Sequence, residues 1–302
     1  MKKSILHFCV ALFLVALATG GDAPLALAQD DLEIGAGVGT PVSPDINPST
    51  RHSSYIPIQT NPTDMKLVAV GTVKEVIKST LIKLEDGKVF SLINMRIPLL
   101  YDDRALEHLR QNYIGKKVGV YQRDYPGVGI QDTRGNLTGH IVTDENVWMQ
   151  ADLVLHGLAW PEGTAKNRDL VQKLYQFEAQ ARSNKSGFWA SPSFAMKNAR
   201  QLDDQMGTFQ VVEDVIKNVS GKGQTYYINF GDNPAKDFTV TMANEVAFYF
   251  RKPNGLPQDP RNWDGQRVRV RGWVKPGSGP LMEMTHPEQL EFLSVSQRKT
   301  PK

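Results

Sequence analysis

The stretch VIKSTLIKLEDGKVFSLINMRIP (residues 76–98) decides the fold. Apolar residues flank Glu85-Asp86-Gly87-Lys88, and an Asp-Gly pair suits the primed turns that join twisted strands, so the segment reads as a β-hairpin. What stands at Thr80, Ser91, Arg96 and Leu99 along it bears on function. Outward from the hairpin, LVAVGTVKEVIKS alternates from Leu67 as a strand. A helix is expected from Asp102, because Leu106, Leu109 and Tyr113 recur at helical spacing and Asp102 or Asp103 can cap its start. The strand GKKVGVYQR follows, then a loop holding DTRGNLTGHIV. A short helix is expected from Trp148 to His156, ending at Gly157. A third carries Leu170, Leu174, Phe177 and Ala181 and stops at Ser186-Gly187, after which Phe188-Trp189 should fold back as an apolar clasp.

Residues 191–206 show no core pattern and are read as a linker. A second strand-rich unit covers 207–295, with segments GTFQVVEDVIKNV, TYYINFGD, DFTVTM, QRVRVRGWV and QLEFL. Two faint repeats link the halves: Glu75-Val76-Ile77-Lys78 resembles Asp214-Val215-Ile216-Lys217, and GKKVGV at 115 resembles GQRVRV at 265. They favour a mainly β fold with α (α+β): two OB-type five-stranded barrels, the first carrying about three helices.

The termini read differently. Lys2-Lys3, a short apolar run and Ala26-Leu27-Ala28 have the form of a signal peptide over 1–28, cleaved near Ala28. The apolar run is shorter than the roughly 20 residues of a spanning helix. A periplasmic or secreted protein is therefore expected, with no membrane-spanning segment after cleavage. Residues 29–66 are rich in Gly, Pro, Ser and Thr and read as a flexible leader, and 296–302 as a tail. The one cysteine, Cys9, lies in the signal, so the mature chain has no disulfide, thiol nucleophile or thiolate metal site. Lys+Arg number 35 against Asp+Glu 32, and removing Lys2, Lys3 and Asp22 leaves 33 against 31. So even a balance argues against a protein that grips nucleic acid mainly by charge.

The order hairpin, helix, GKKV strand, QADLVLHGLAW, then LYQFEAQARSNKSGFW resembles the thermonuclease, or staphylococcal-nuclease-like, domain over residues 67–190. The most specific pieces are Gly157-Leu158-Ala159-Trp160 and Glu178-Ala179-Gln180-Ala181-Arg182 leading into Gly187-Phe188-Trp189. The resemblance implies phosphodiester hydrolysis with calcium held by carboxylates, a glutamate near the attacking water and two arginines on the phosphate. At the matching positions, however, this chain has Thr80 and Arg96 for the metal aspartates, Leu99 for the glutamate, and Ser91 and Asn136 for the arginines. Arg96 would repel calcium in a pocket emptied of carboxylates. The resemblance therefore implies a pseudonuclease with no catalytic residue and no cofactor, serving as a binding or scaffold module for an envelope protein, a glycan or single-stranded nucleic acid.

The alternative is a divergent metal-dependent nuclease that keeps calcium by recruiting Glu75, Asp102, Asp103 or Asp132, with Arg96 or Arg134 as clamp. Residues 207–293 resemble the OB-like domain found downstream of such domains in exported bacterial proteins. There Arg267, Arg269 and Arg271 alternate on one strand face, with Val268 and Val270 toward the core. This basic ladder, with Tyr226, Tyr227 or Trp273 to stack bases, could track a phosphate backbone, or it could be an outer face paired with acids. Histidines 52, 108, 140, 156 and 286 show no metal-ligand spacing, so no metal site is expected.

Overall fold

The computed structural model describes residues 65–123, 131–163, 168–251 and 259–293. The expected signal peptide, nearly all of the leader and the tail lie outside them. The described residues all fall within one compact unit, His52–Lys302. Among them, no helix is long and apolar enough to cross a membrane.

The first half holds β1 (Lys66–Lys78), β2 (Leu81–Leu84), β3 (Val89–Leu92), β4 (Met95–Arg96), α1 (Asp102–Tyr113), β5 (Lys117–Gln122), β6 (Leu137–Thr143), α2 (Met149–Leu155), β7 (Trp160–Pro161) and α3 (Arg168–Ser183). Strands β1-β2-β3-β6-β5 form a ring of pairings that closes when β5 returns to β1. β1 serves β5 along Lys66–Thr72 and β2 along Val73–Lys78, and its register with β2 shifts between Val73 and Glu75 and again between Val76 and Lys78. Such bulges bend a strand and let a sheet curl on itself. Val73 and Val76 of β1, Ile82 and Leu84 of β2 and Phe90 of β3 fill the inside, each at most 1% exposed. Each such side chain contributes on the order of 1.5–3 kcal/mol.

The hairpin is present, with a different turn. Gly87 N–H donates to the Leu84 carbonyl and Leu84 N–H to the Lys88 carbonyl, and of the central residues only Gly87 has positive φ, at 87°. That is a three-residue loop, a type I turn closed by a left-handed glycine, and not a primed turn. Two further differences concern local patterns. The stretch DTRGNLTGHIV, read as held in a loop although His140 is expected in a strand, ends within strand β6, which pairs in parallel with β3. The residue before α1 is Tyr101, which makes no side-chain cap bond, so Asp102 is in the first turn and not at the cap.

The second half holds β8 (Phe209–Val215), β9 (Asn218–Lys222), β10 (Thr225–Asn229), β11 (Thr239–Ala243), α4 (Asn244–Phe248), β12 (Arg267–Pro276), β13 (Pro280–Met284) and β14 (Leu290–Phe292). This sheet has seven strands where five were expected: the path β14-β12-β13-β11-β10-β9, with β8 also on β12. The repeat segments lie opposite each other in the second half, Asp214 by Val268 and Val215 by Arg267, whereas in the first half Glu75–Lys78 pairs with β2 and β5 takes the earlier part of β1. β1 pairs antiparallel with β5, which holds most of the first GKKVGV match, and β8 pairs antiparallel with β12, which holds most of the second.

Residues 191–206 join the two halves as a packed connection. They form 3-10 turns, Leu202 is fully buried in the second core, and Lys197 bridges Val212. A third apolar cluster spans the halves, uniting Trp160, Ala181, Phe188 and Trp189 with Val211 and drawing in Phe209. The Phe188-Trp189 clasp is part of it. The turn that aims the clasp requires glycine twice: Gly157 (φ 62°) and Gly187 (φ 53°) lie against each other's backbone. Phe188 N–H donates to the Gly157 carbonyl there. A Cβ on Gly157 would overlap the Ser186 carbonyl.

Candidate functional site

The positions singled out by the resemblance lie at the β1–β2 turn (Thr80), on β3 (Ser91), on β4 (Arg96), in the 3-10 turn that follows it (Leu99) and in the loop before β6 (Asn136). Ser79, at the turn, is buried and donates its hydroxyl to Asp102. The neighbouring Thr80 carbonyl accepts from Leu92 N–H at 2.8 Å. Ser91 sits opposite Leu81 on one side and Thr138 on the other.

Asp132 organises the loop over which Asn136 lies. Its carboxylate accepts from the backbone N–H groups of Arg134 and Asn136, both at 2.9 Å, and from the Asn136 amide at 3.0 Å. The Asn136 amide chiefly, against the opposing effect of desolvation and helped by those backbone donors and Ser91, holds its carboxyl below the usual range. This is the chemistry of a short polar side chain closing its own turn.

Glu75 pairs with Lys83 at 3.9 Å, and Asp103 is exposed. Glu75, Asp102, Asp103 and Asp132 therefore serve separate local structures, and no three of them converge as a cation site among the described residues. Leu99 opens a 3-10 turn and is 90% exposed.

Arg96 does not face an emptied pocket. β4 pairs with β7, which brings Glu162 alongside, and the guanidinium donates through Nε to Glu162 Oε1 at 3.1 Å and through a second nitrogen to the same oxygen. Its cationic carbon lies 5.7 Å from the Phe209 ring and 5.5 Å from that of Trp273. Held by one carboxylate and two aromatic faces of the second half, Arg96 ties the two sheets together.

The arginine ladder of β12 is likewise occupied. Arg267 and Arg269 share Glu213, at 2.7 and 2.8 Å, and Arg269 also reaches Glu291 at 3.5 Å. Arg271 is 2% exposed. It donates to both oxygens of Glu178 on α3, at 2.9 and 3.1 Å, and to Glu291. It also lies 4.0 Å from the Tyr175 ring. Burial alone would lower the Arg271 pKa, but Glu178, with Tyr175 and Glu291, holds it well above the ordinary value.

Of the two sequence readings, the structure matches pairing with acids. Arg271 differs from both, because α3 covers it and removes it from solvent. Tyr226 and Tyr227 are half-buried neighbours on β10, with Tyr226 against the second core. Trp273 is engaged by Phe209 and Arg96. Among the described residues, no platform combines these rings with uncommitted ladder cations. A cleft of about 540 Å³ between α3 and β14 contains Arg269 and Glu291, already paired with each other.

The histidines hold what the sequence reasoning missed. His140 is buried on β6, where Trp148 Nε1 donates to its Nδ1 at 3.2 Å and Asn94 Oδ1 lies 3.1 Å from its Nε2. Burial pushes its pKa down to about 3, a neutral core ring. His108 and His156, expected to be unrelated, converge on Asp152. The visible signal was the i,i+4 spacing of Asp152 on α2 and His156 at its C-terminal cap. The third member, His108, comes from α1, and no spacing along the chain announces it.

Residues 96–191 match the family model described as Staphylococcal nuclease homologue. No curated protein matches the chain. The matched span begins at Arg96 and takes in α1, α2, α3 and the Phe188-Trp189 clasp. The hairpin carrying Thr80 and Ser91 lies before it, within the ring of strands that α1 and α2 pack against.

Proposed function

Taking residues 96–191 as a staphylococcal-nuclease-like domain, we propose that the protein is a non-catalytic relative of the nucleases, exported through a signal peptide cleaved near Ala28, that works as a binding or scaffold module. In this reading residues 67–190 and 207–295 are two domains joined by 191–206. The observation that carries it is the use to which the nearby charged groups are put. Asp102 and Asp132 anchor a turn and a loop, Arg96 is committed to Glu162 and two rings, and among the described residues no three acids meet to hold a hard cation. Calcium wants six to eight converging oxygen ligands, and phosphoryl chemistry needs cations placed before the charge develops. The ladder arginines are all paired, so a nucleic-acid partner loses its main support and a protein or glycan partner of the cell envelope moves ahead.

Calcium titration of the mature protein by calorimetry tests the claim. We expect no binding that Asp102→Ala or Asp132→Ala removes. Stoichiometric calcium abolished by either substitution would restore the nuclease reading. Anisotropy of labelled single-stranded oligonucleotides at two salt concentrations tests the partner class, with no association expected even at low salt.

A further inference from the structure

We propose that His108, Asp152 and His156 form a binding site for one zinc ion, clamping α1 to α2. One ring nitrogen from each histidine and one carboxylate oxygen lie within 4.8 Å of one another. His108 Nε2 stands 2.6 Å from Asp152 Oδ2, and His156 Nδ1 stands 3.1 Å from Asp152 Oδ1. Ligands about 2.0 Å from a tetrahedral ion are about 3.3 Å apart, so small side-chain rotations reach the bound geometry. The two rings are already adjacent, with centroids 4.7 Å apart and planes tilted by 45°.

The donor set suits this ion. Two imidazoles and one carboxylate are borderline ligands that favour zinc over calcium or magnesium, which take oxygen ligands. Three protein ligands leave a fourth position for water. Access and support are both present: the His156 side chain is 44% exposed, whereas Asp152 is 10% exposed. Tyr113 donates its hydroxyl to Asp152 Oδ2 at 2.7 Å, which fixes the carboxylate from behind. Without metal the same three groups make an ion-paired cluster, which is the competing explanation. The site does not depend on the residues discussed for nuclease chemistry, so its test and theirs fail separately.

The experiment is zinc titration of the untagged mature protein by calorimetry, with cobalt(II) absorption as a second readout. One zinc per chain should bind and resist excess calcium, and cobalt should give the strong visible bands of a tetrahedral site. His156→Ala, at an exposed position that leaves the core untouched, should weaken binding by at least about 100-fold, and Tyr113→Phe by about 10- to 100-fold. His286→Ala, outside the cluster, should change nothing. Failure to take up zinc stoichiometrically, or uptake that survives both His156→Ala and His108→Ala, would overturn the site and leave an ion-paired cluster only.

Discussion

Replacing Arg271 with methionine should uncouple the two halves of the molecule. The guanidinium is buried and donates to both oxygens of a fully buried Glu178 and to Glu291, above the Tyr175 ring. Removing one member of a buried pair leaves an uncompensated charge and typically costs about 3–5 kcal/mol. Here Glu178 keeps Arg182 at 2.6 Å and Glu291 keeps Arg269 at 3.5 Å, which places the expected cost near the lower end, about 3 kcal/mol.

Urea unfolding followed by tryptophan fluorescence and circular dichroism measures it. The variant should show a lowered midpoint, and the single transition should split as the second sheet loosens from α3. Two comparisons locate the effect. Arg267→Ala removes a largely exposed arginine from the same ladder and should cost at most about 1 kcal/mol. The double variant R271M/E178M should cost less than the sum of the two single variants, because both break the same buried pair. A cost below about 1 kcal/mol for R271M, or equal costs for R271M and R267A, would refute the claim that this pair fastens the halves.

The remaining expectations can be checked with the same unfolding assay. His140 has its folded pKa depressed to about 3 by burial, so the unfolded chain binds protons that the folded chain refuses. Stability is fully present above about pH 6.5 and falls as pH drops toward 3, by at most about 1.4 kcal/mol per pH unit. His140→Gln should flatten that slope between pH 6.5 and 4.5, and an unchanged slope would contradict it. Gly157→Ala forces a side chain onto a left-handed residue pressed against Ser186, and should cost more than about 1 kcal/mol. Arg96→Ala should cost about 1–2 kcal/mol and alter Trp273 fluorescence, since the guanidinium lies against that ring. Unaltered emission would place Arg96 elsewhere.

Much of the fold was legible because apolar alternation and glycine punctuation are local signals. β1, the hairpin, α1, α2 and α3 all follow from them. What was not legible depends on contacts between distant segments. The stretch DTRGNLTGHIV reads as held in a loop because Gly139 and His140 interrupt the pattern, yet Gly139 is where Val120 packs so closely that no side chain fits. β13 carries PLMEM, whose Pro, Met and Glu give no strand signal, and it forms because β12 and β11 flank it.

For the candidate site, the positions that the resemblance singles out could be named from the hairpin and loop, but not what the charged residues there do. Arg96 turns toward Glu162 because β4 pairs with β7, and Arg271 is buried because α3 lies over β12. The cluster of His108, Asp152 and His156 is set by the packing of two helices, of which only the Asp152–His156 half has a spacing along the chain.

The central claim is that the nuclease-like domain no longer hydrolyses phosphodiesters, and the direct measurement is turnover. The mature protein is incubated with single-stranded DNA and RNA in calcium, magnesium, manganese or zinc, beside an active family member. Losing several transition-state contacts at once, each worth about 10²–10³ in rate, predicts no cleavage above background with any ion. Metal-dependent cleavage abolished by Asp102→Ala, Asp103→Ala or Asp132→Ala would contradict it.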